Sequence, residues 1–168
     1  YPEKGFIPSD PRLRSQCMQW MFWQMSGQGP WTGQFGHFFA HAPPDKLETC
    51  DYGAARYGLE TKKLCAVLDR HLAGYGDFSG DPGMREEGPR NFLVGDAYTV
   101  ADMACAPWII FLRRSPNGIE RPGQPKAYDF LGLGEFKHLN AWASRLESRK
   151  QVQRGMLVCA AGKPKPWL

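Results

Sequence analysis

The chain has 168 residues; 42% are hydrophobic, with ten Phe and six Trp, and 21 basic against 17 acidic side chains leave a formal net charge of +4. That composition suits one domain with a real core and excludes a disordered chain. The charges are interleaved, with no basic run longer than two, which argues against a nucleic-acid or membrane-surface partner; the longest apolar run, residues 100–112, is too short for the roughly 20 residues a membrane-inserted helix needs.

Residues 1–11, "YPEKGFIPSDP", hold three prolines and read as an extended linker. From Arg12 to about Met25 the pattern turns helical, with Leu13, Cys17, Trp20, Met21 and Phe22 at helical spacing. Trp23 and Met25 add apolar surface off that stripe, so the helix is packed on most sides. "SGQGPWTGQFG", residues 26–36, has four glycines and a proline, where the helix is expected to stop or bend. Pro43 and Pro44 break the chain again. A long helix is expected from Asp51 to Leu72, with Tyr57, Leu64, Val67, Leu68 and Leu72 as its apolar stripe, ended by Gly74 and Gly76. Residues 74–91 form a Gly/Pro-rich connector, and residues 115–129 a second. Both exceed the two to eight residues usual between bundle helices. They are expected to be cut by proteases near Gly83 and Gly123, or to be held by a neighbour through Tyr75, Phe78 and Tyr128.

Between the connectors lies "YTVADMACAPWIIFL", residues 98–112, with one charge, Asp102. Thr99 and Asp102 have the spacing of a capping box. The Thr99 hydroxyl would accept from the N–H of Asp102, and the carboxylate would reach back to the N–H of Thr99. Tyr98 and Met103 are placed as the accompanying hydrophobic staple. Asp102 is therefore read as structural. Pro107 should kink this helix or start a second segment. A final helix follows within residues 131–155, with Phe136, Leu139, Trp142, Ala143 and Leu146 on one face. No alternating strand pattern exceeds four residues. The class is all-α, four to six helices in a bundle.

The five cysteines, Cys17, Cys50, Cys65, Cys105 and Cys159, show no paired spacing. They read as free thiols in a reducing compartment, the cytoplasm or else an organelle interior. His37, His41, His71 and His138 have no spacing that puts two on one helix face, so no metal is expected.

"WMFWQMSGQGPWTGQFGHFF" (20–39), "ARYGLETKKLCAVLDRHL" (55–72), "FLVGDAYTVADMACAPW" (92–108) and "YDFLGLGEFKHLNAWASRLESRKQVQRG" (128–155) occur in that order. Together they resemble the C-terminal helical domain of the glutathione S-transferase superfamily. The Trp-x-Phe-Trp-Gln start with Gly-Gln-Gly-Pro is most similar to the nu-class group, which includes glutathione-dependent disulfide-bond reductases. The resemblance covers about residues 6–155 apart from the two connectors. It implies a linker at 1–11, the helical domain at 12–160 and a tail at 161–168. Two departures stand out. Ser-Arg-Lys-Gln-Val replaces the usual Arg-Pro-Ala-Val near the end. The thioredoxin-like domain that comes first in the family, and supplies most glutathione contacts, has no counterpart in these residues.

The resemblance places Arg56 near the glutathione cleft, where it would meet a peptide carboxylate, or else a solvated or dimer-contact position. Gln24 would line the acceptor-substrate side or bond between helices. Gln28 and Gln34 would reach a ligand or satisfy backbone, and Met21 and Trp108 would floor an apolar pocket or serve as core. The implied activity is that of a glutathione transferase or disulfide reductase, with glutathione and an apolar electrophile or disulfide as substrates and a homodimer as the assembly. The alternative is a non-catalytic interaction module or a subunit of a larger protein complex.

Overall fold

Asp10 starts the first helix. Its Oδ1 accepts from the backbone N–H groups of Arg12 (3.0 Å) and Leu13 (2.9 Å), satisfying donors that a helix start leaves free. Pro11 follows at the first position, where a missing N–H costs nothing. The structure is a computed structural model that describes residues 2–75, 88–113 and 119–158. In it, α1 (Pro11–Trp23) passes through a wide turn at Gln24–Gln28 into α2 (Gly29–Gly36), and through a second wide turn at His37–His41. In each wide turn one hydrogen bond spans five residues, from Gly29 N–H to Gln24 O and from Ala42 N–H to His37 O.

The stop or bend expected over residues 26–36 is therefore a widened turn inside a continuous helical path. The widened ladder leaves Pro30 in the first turn of α2, where its ring meets no obligatory bond. The path ends at Ala42, whose ψ of 151° is extended, and Pro43 and Pro44 follow.

A short 3₁₀ turn (Pro44–Cys50) leads into α3 (Asp51–Leu72), which runs back along α2 and α1. Tyr57 meets Trp31 at 5.6 Å and His71 meets Trp20 at 4.7 Å between ring centroids. Its buried line is Ala54, Gly58, Thr61, Cys65, Leu68 and Leu72. Tyr57, Leu64 and Val67, expected in that line, flank it half-buried. The line is built from small residues, because α2 lies close. A Cβ on Gly58 would stand 3.3–3.4 Å from Leu131, Phe130 and Phe35.

Residues 76–87, 114–118 and 159–168 are outside the described set, and with them Phe78, Gly83 and Cys159. The described part of the second connector does not need a neighbour to hold it. Ala127 is buried, Ile119 and Tyr128 pack on the core, Ala127 N–H reaches Ile119 O at 3.2 Å, and Arg121 pairs with Asp51 at 2.6 Å. Apolar burial plus an ion pair fixes this stretch to its own domain, contrary to the expectation from its length.

α4 (Val100–Arg113) buries Ala101, Asp102, Cys105, Ala106, Ile109, Ile110 and Leu112. It continues through Pro107 as one helix, so the second segment considered from the sequence does not form. α5 (Ala127–Phe130), α6 (Lys137–Glu147) and α7 (Lys150–Gly155) complete the order. α6 buries Leu139, Trp142, Ala143 and Leu146 as expected. The final helix expected over 131–155 is split. Ser148 Oγ donates to Arg145 O at 2.8 Å and Arg149 is extended, with ψ 125°, so the backbone turns before α7 begins. No strand occurs among the described residues.

Candidate functional site

Gly29, Gly33 and Gly36 recur at helical spacing on α2 and leave a face without side chains. Across from it stand Trp108 and Phe111 of α4. With Thr32, His41 and Ile119 they enclose a cavity of about 230 Å³. The two inner glycines do different work. A Cβ on Gly36 would press Ile119 at 3.3 Å, whereas a Cβ on Gly33 would meet nothing within 4 Å. Gly33 faces free space; Gly36 permits contact.

Trp108 is half-buried in the wall of this cavity. Gln24 is buried, and a Cβ on Gly29 would lie 3.1 Å from Gln24 Nε2 and 3.5 Å from Trp108 Cζ2. The structure thus brings the Gln24 amide and the Trp108 indole together over Gly29. Met21 is half-buried one turn earlier and does not line the cavity. Gln28 turns inward, where its Nε2 donates to Cys105 O at 3.2 Å and ties the wide turn to α4; its Oε1 is buried without a partner. Gln34 is exposed. Arg56 sits on the outer side of α3, ion-paired one turn ahead with Glu60, which Lys63 also reaches at 3.1 Å. These two cations, Arg56 first, hold the Glu60 carboxyl below its ordinary range.

Asp102 is fully buried and spends both oxygens on structure. Oδ1 accepts from Leu93 N–H (3.0 Å) and Trp142 Nε1–H (2.9 Å). Oδ2 accepts from Thr99 N–H at 3.0 Å, the backbone half of the expected box. The other half is reversed. The Thr99 hydroxyl donates to Oδ2 at 3.4 Å, because an ionised carboxylate within reach offers only acceptors. Burial pushes the Asp102 carboxyl up, and the hydrogen bonds from Thr99, Trp142 and Leu93 oppose this. The N–H of Val100 is taken by Phe6 O at 2.9 Å, so a linker carbonyl helps cap α4. Sequence reading missed that bond, along with the glycine wall, for which the 29/33/36 spacing is the available signal.

Cys17, Cys50, Cys65 and Cys105 are free and buried. Burial, with Asp69 adding to it, pushes the Cys65 thiol up to about 12. Burial, then Asp102 and Cys17, push the Cys105 thiol up as well. Neither offers a thiolate near neutral pH. Among the described residues no group of three His, Cys, Asp or Glu side chains is placed to hold a metal ion, and no helix is long and apolar enough to cross a membrane.

The helical order, the acidic cap at the start of the central helix and the apolar cavity on that helix define an all-α domain of the glutathione-transferase type. Residues 85–150 match the family model for the glutathione S-transferase C-terminal domain, and the chain belongs to that family. Disulfide-bond oxidoreductase YghU of Escherichia coli is 35% identical over 154 residues, 91% of this chain and 44% of that protein. Disulfide-bond oxidoreductase YfcG of the same organism is 30% identical over 157 residues, 94% of this chain and 58% of that protein. A glutathione transferase of Burkholderia graminis, solved with two glutathione molecules per subunit, superposes with a TM-score of 0.73 at 27% identity, covering 96% of this chain and 56% of that one. The chain spans about half the length of the curated relatives it matches.

Proposed function

We propose that this chain forms the acceptor-substrate side of a glutathione-dependent enzyme, a disulfide reductase or a transferase. The observation that carries the reading is the cavity between the glycine face of α2 and Trp108 and Phe111 of α4. It offers a flat apolar bed with one amide, Gln24, beside it. Cys17, Cys50, Cys65 and Cys105 are buried, which makes them poor nucleophiles, so the attacking sulfur in this reading is that of glutathione, and residues outside these 168 positions lower its pKa. With a disulfide acceptor, the glutathione thiolate attacks one sulfur and the S–S bond breaks. The other sulfur leaves as a thiolate and takes a proton. A second glutathione then resolves the mixed disulfide, and the two glutathiones end as the oxidised pair. With an apolar electrophile, a C–S bond forms and the leaving group departs with its electron pair. Arg56, spent on Glu60, has no part in this reading. Met18, Phe22 and Met25 form an exposed apolar line on α1 and its wide turn, which supports a protein partner, in a homodimer or a larger assembly. The free thiols suit a reducing compartment.

The test is the full-length protein assayed with glutathione, using bis(2-hydroxyethyl) disulfide and 1-chloro-2,4-dinitrobenzene as acceptors. Gly33→Leu fills the cavity without a clash, so kcat/KM should fall about tenfold or more while the fold stays intact. A folded protein that turns over neither acceptor, or a Gly33→Leu variant with wild-type kinetics, defeats the reading.

A further inference from the structure

His41 is the only ionisable side chain among the residues lining the cavity beside Gly33, and histidine is the side chain suited to moving a proton near neutral pH. It ends the second wide turn, which the bond from Ala42 N–H to His37 O closes at 2.8 Å. The turn brings the ring back over the glycine face of α2. Its Cδ2, the carbon bonded to Nε2, would stand 3.8 Å from a Cβ on Gly36. The residue is exposed on its other side, where the ring exchanges protons with water. Among the described residues the ring has no hydrogen-bond or ionic partner. His37, at the start of the same turn, differs: its ring packs edge-on against Phe38 at 5.2 Å, and it does not line this cavity.

In the disulfide reading proposed above, on which this inference rests, the sulfur that departs from the acceptor lies in the cavity and leaves as a thiolate. An alkyl thiolate is a strong base, and walls of Trp108, Phe111 and Ile119 leave it poorly solvated. We infer that His41, as the imidazolium, donates a ring proton to this departing sulfur while the S–S bond breaks. The glutathione thiolate supplies the electron pair of the new S–S bond. The pair of the old bond goes to the departing sulfur, and the His41 proton neutralises it. The imidazole left behind takes a proton from water on its exposed side. The second glutathione thiolate attacks the glutathione sulfur of the mixed disulfide, and the acceptor's other sulfur departs and takes a proton in the same way. The two protons passed through His41 match the two released when the two glutathiones ionise. The site is thereby fitted to disulfides of unactivated alkyl thiols, whose departure needs an acid, ahead of electrophiles that lose halide, which do not.

The test uses the full-length protein, wild type and His41→Gln, with glutathione and three acceptors. Bis(2-hydroxyethyl) disulfide releases a basic alkyl thiolate. Bis(2,2,2-trifluoroethyl) disulfide is uncharged and of similar size, but its fluorines make the departing thiolate a weaker base, which leaves faster unaided. 1-Chloro-2,4-dinitrobenzene loses chloride, which takes no proton. His41→Gln should lower kcat/KM about tenfold or more with the first acceptor, distinctly less with the second and least with the third. Added imidazole should restore part of the loss that His41→Ala suffers with the first acceptor, a rescue that a merely structural side chain does not show. Gly33→Leu, which fills the cavity, should lower all three together. A wild type that turns over none of the three defeats the acceptor-side reading and this inference with it. A wild type that turns them over while His41→Gln loses nothing, or loses equally with all three, overturns this inference alone.

Discussion

Replacing Asp102 tests the central claim about how this bundle is held. The carboxylate accepts from three buried N–H groups, those of Leu93, Thr99 and the Trp142 indole, on residues no more than 1% exposed. Removing the acceptor from one buried donor costs about 1–3 kcal/mol. Asp102→Ala strands three, and partial water entry keeps the sum toward the low end, about 3–5 kcal/mol. With a urea m-value of about 2 kcal/mol/M, the midpoint falls by about 1.5–2.5 M. Asp102→Asn keeps the Oδ1 contacts but turns an amide N–H toward the N–H of Thr99, so it strands one donor and costs about 1–3 kcal/mol. The pH dependence has a defined sign. The folded carboxyl pKa is raised, chiefly by burial. The folded chain therefore keeps this proton where the unfolded chain has released it. That contribution is complete below the unfolded pKa and is lost as pH rises through the folded one. The asparagine variant has no such slope, so its deficit against wild type narrows as pH rises from about 4. Urea denaturation followed by circular dichroism at several pH values reads both effects. An alanine variant with an unchanged midpoint refutes the account.

Gly53→Ala should destabilise by about 1–2 kcal/mol although alanine is the better helix former, because the new Cβ would fall 2.7 Å from the Phe38 ring, which stacks on Tyr57 at 5.4 Å; a stabilised variant in thermal denaturation would show that the stack yields freely. The aromatic-disulfide thiol reagent DTNB should label at most one cysteine rapidly in the native protein, since Cys17, Cys50, Cys65 and Cys105 are buried, and all five in denaturant; rapid labelling of two or more contradicts that burial. The 168-residue chain by itself should show no micromolar affinity for glutathione in titration calorimetry, because Arg56 is engaged by Glu60; saturable micromolar binding would assign Arg56 or the glutamines a far larger role.

What was legible in the sequence had short range or strong apolar signal. Asp51–Leu72 appears at the bounds its flanking punctuation implies. The Thr99–Asp102 bond needed only a three-residue spacing. The other partners of that carboxylate lie 9 and 40 residues away, and no local pattern points to them. The α3 stripe was misplaced because its buried residues are Ala54, Gly58 and Thr61 as much as leucines. Small side chains carry little hydrophobic signal, yet they let α2 approach. The Gly-Pro step at 29–30 reads as a break, because a widened turn that accommodates proline is rarer than a stop.

The glycines sharpen the distinction between packing and site. Gly53 and Gly58 on α3 are filled to contact by Phe38 and by Phe35, Phe130 and Leu131. Their missing side chains are replaced by neighbours, so they speak to stability. Gly33 on α2 has no neighbour where its Cβ would stand. Gly33 is exposed at the mouth of the cavity beside Trp108 and Phe111, so a side chain there would enter the cavity without displacing a neighbour. Asp102 shows the converse. Among the described residues it is the one buried acid of the core and so the obvious candidate for chemistry, but its oxygens are consumed by Leu93, Thr99 and Trp142. Functional weight in this chain therefore falls on the space beside Gly33, Trp108 and Phe111 rather than on the buried carboxylate.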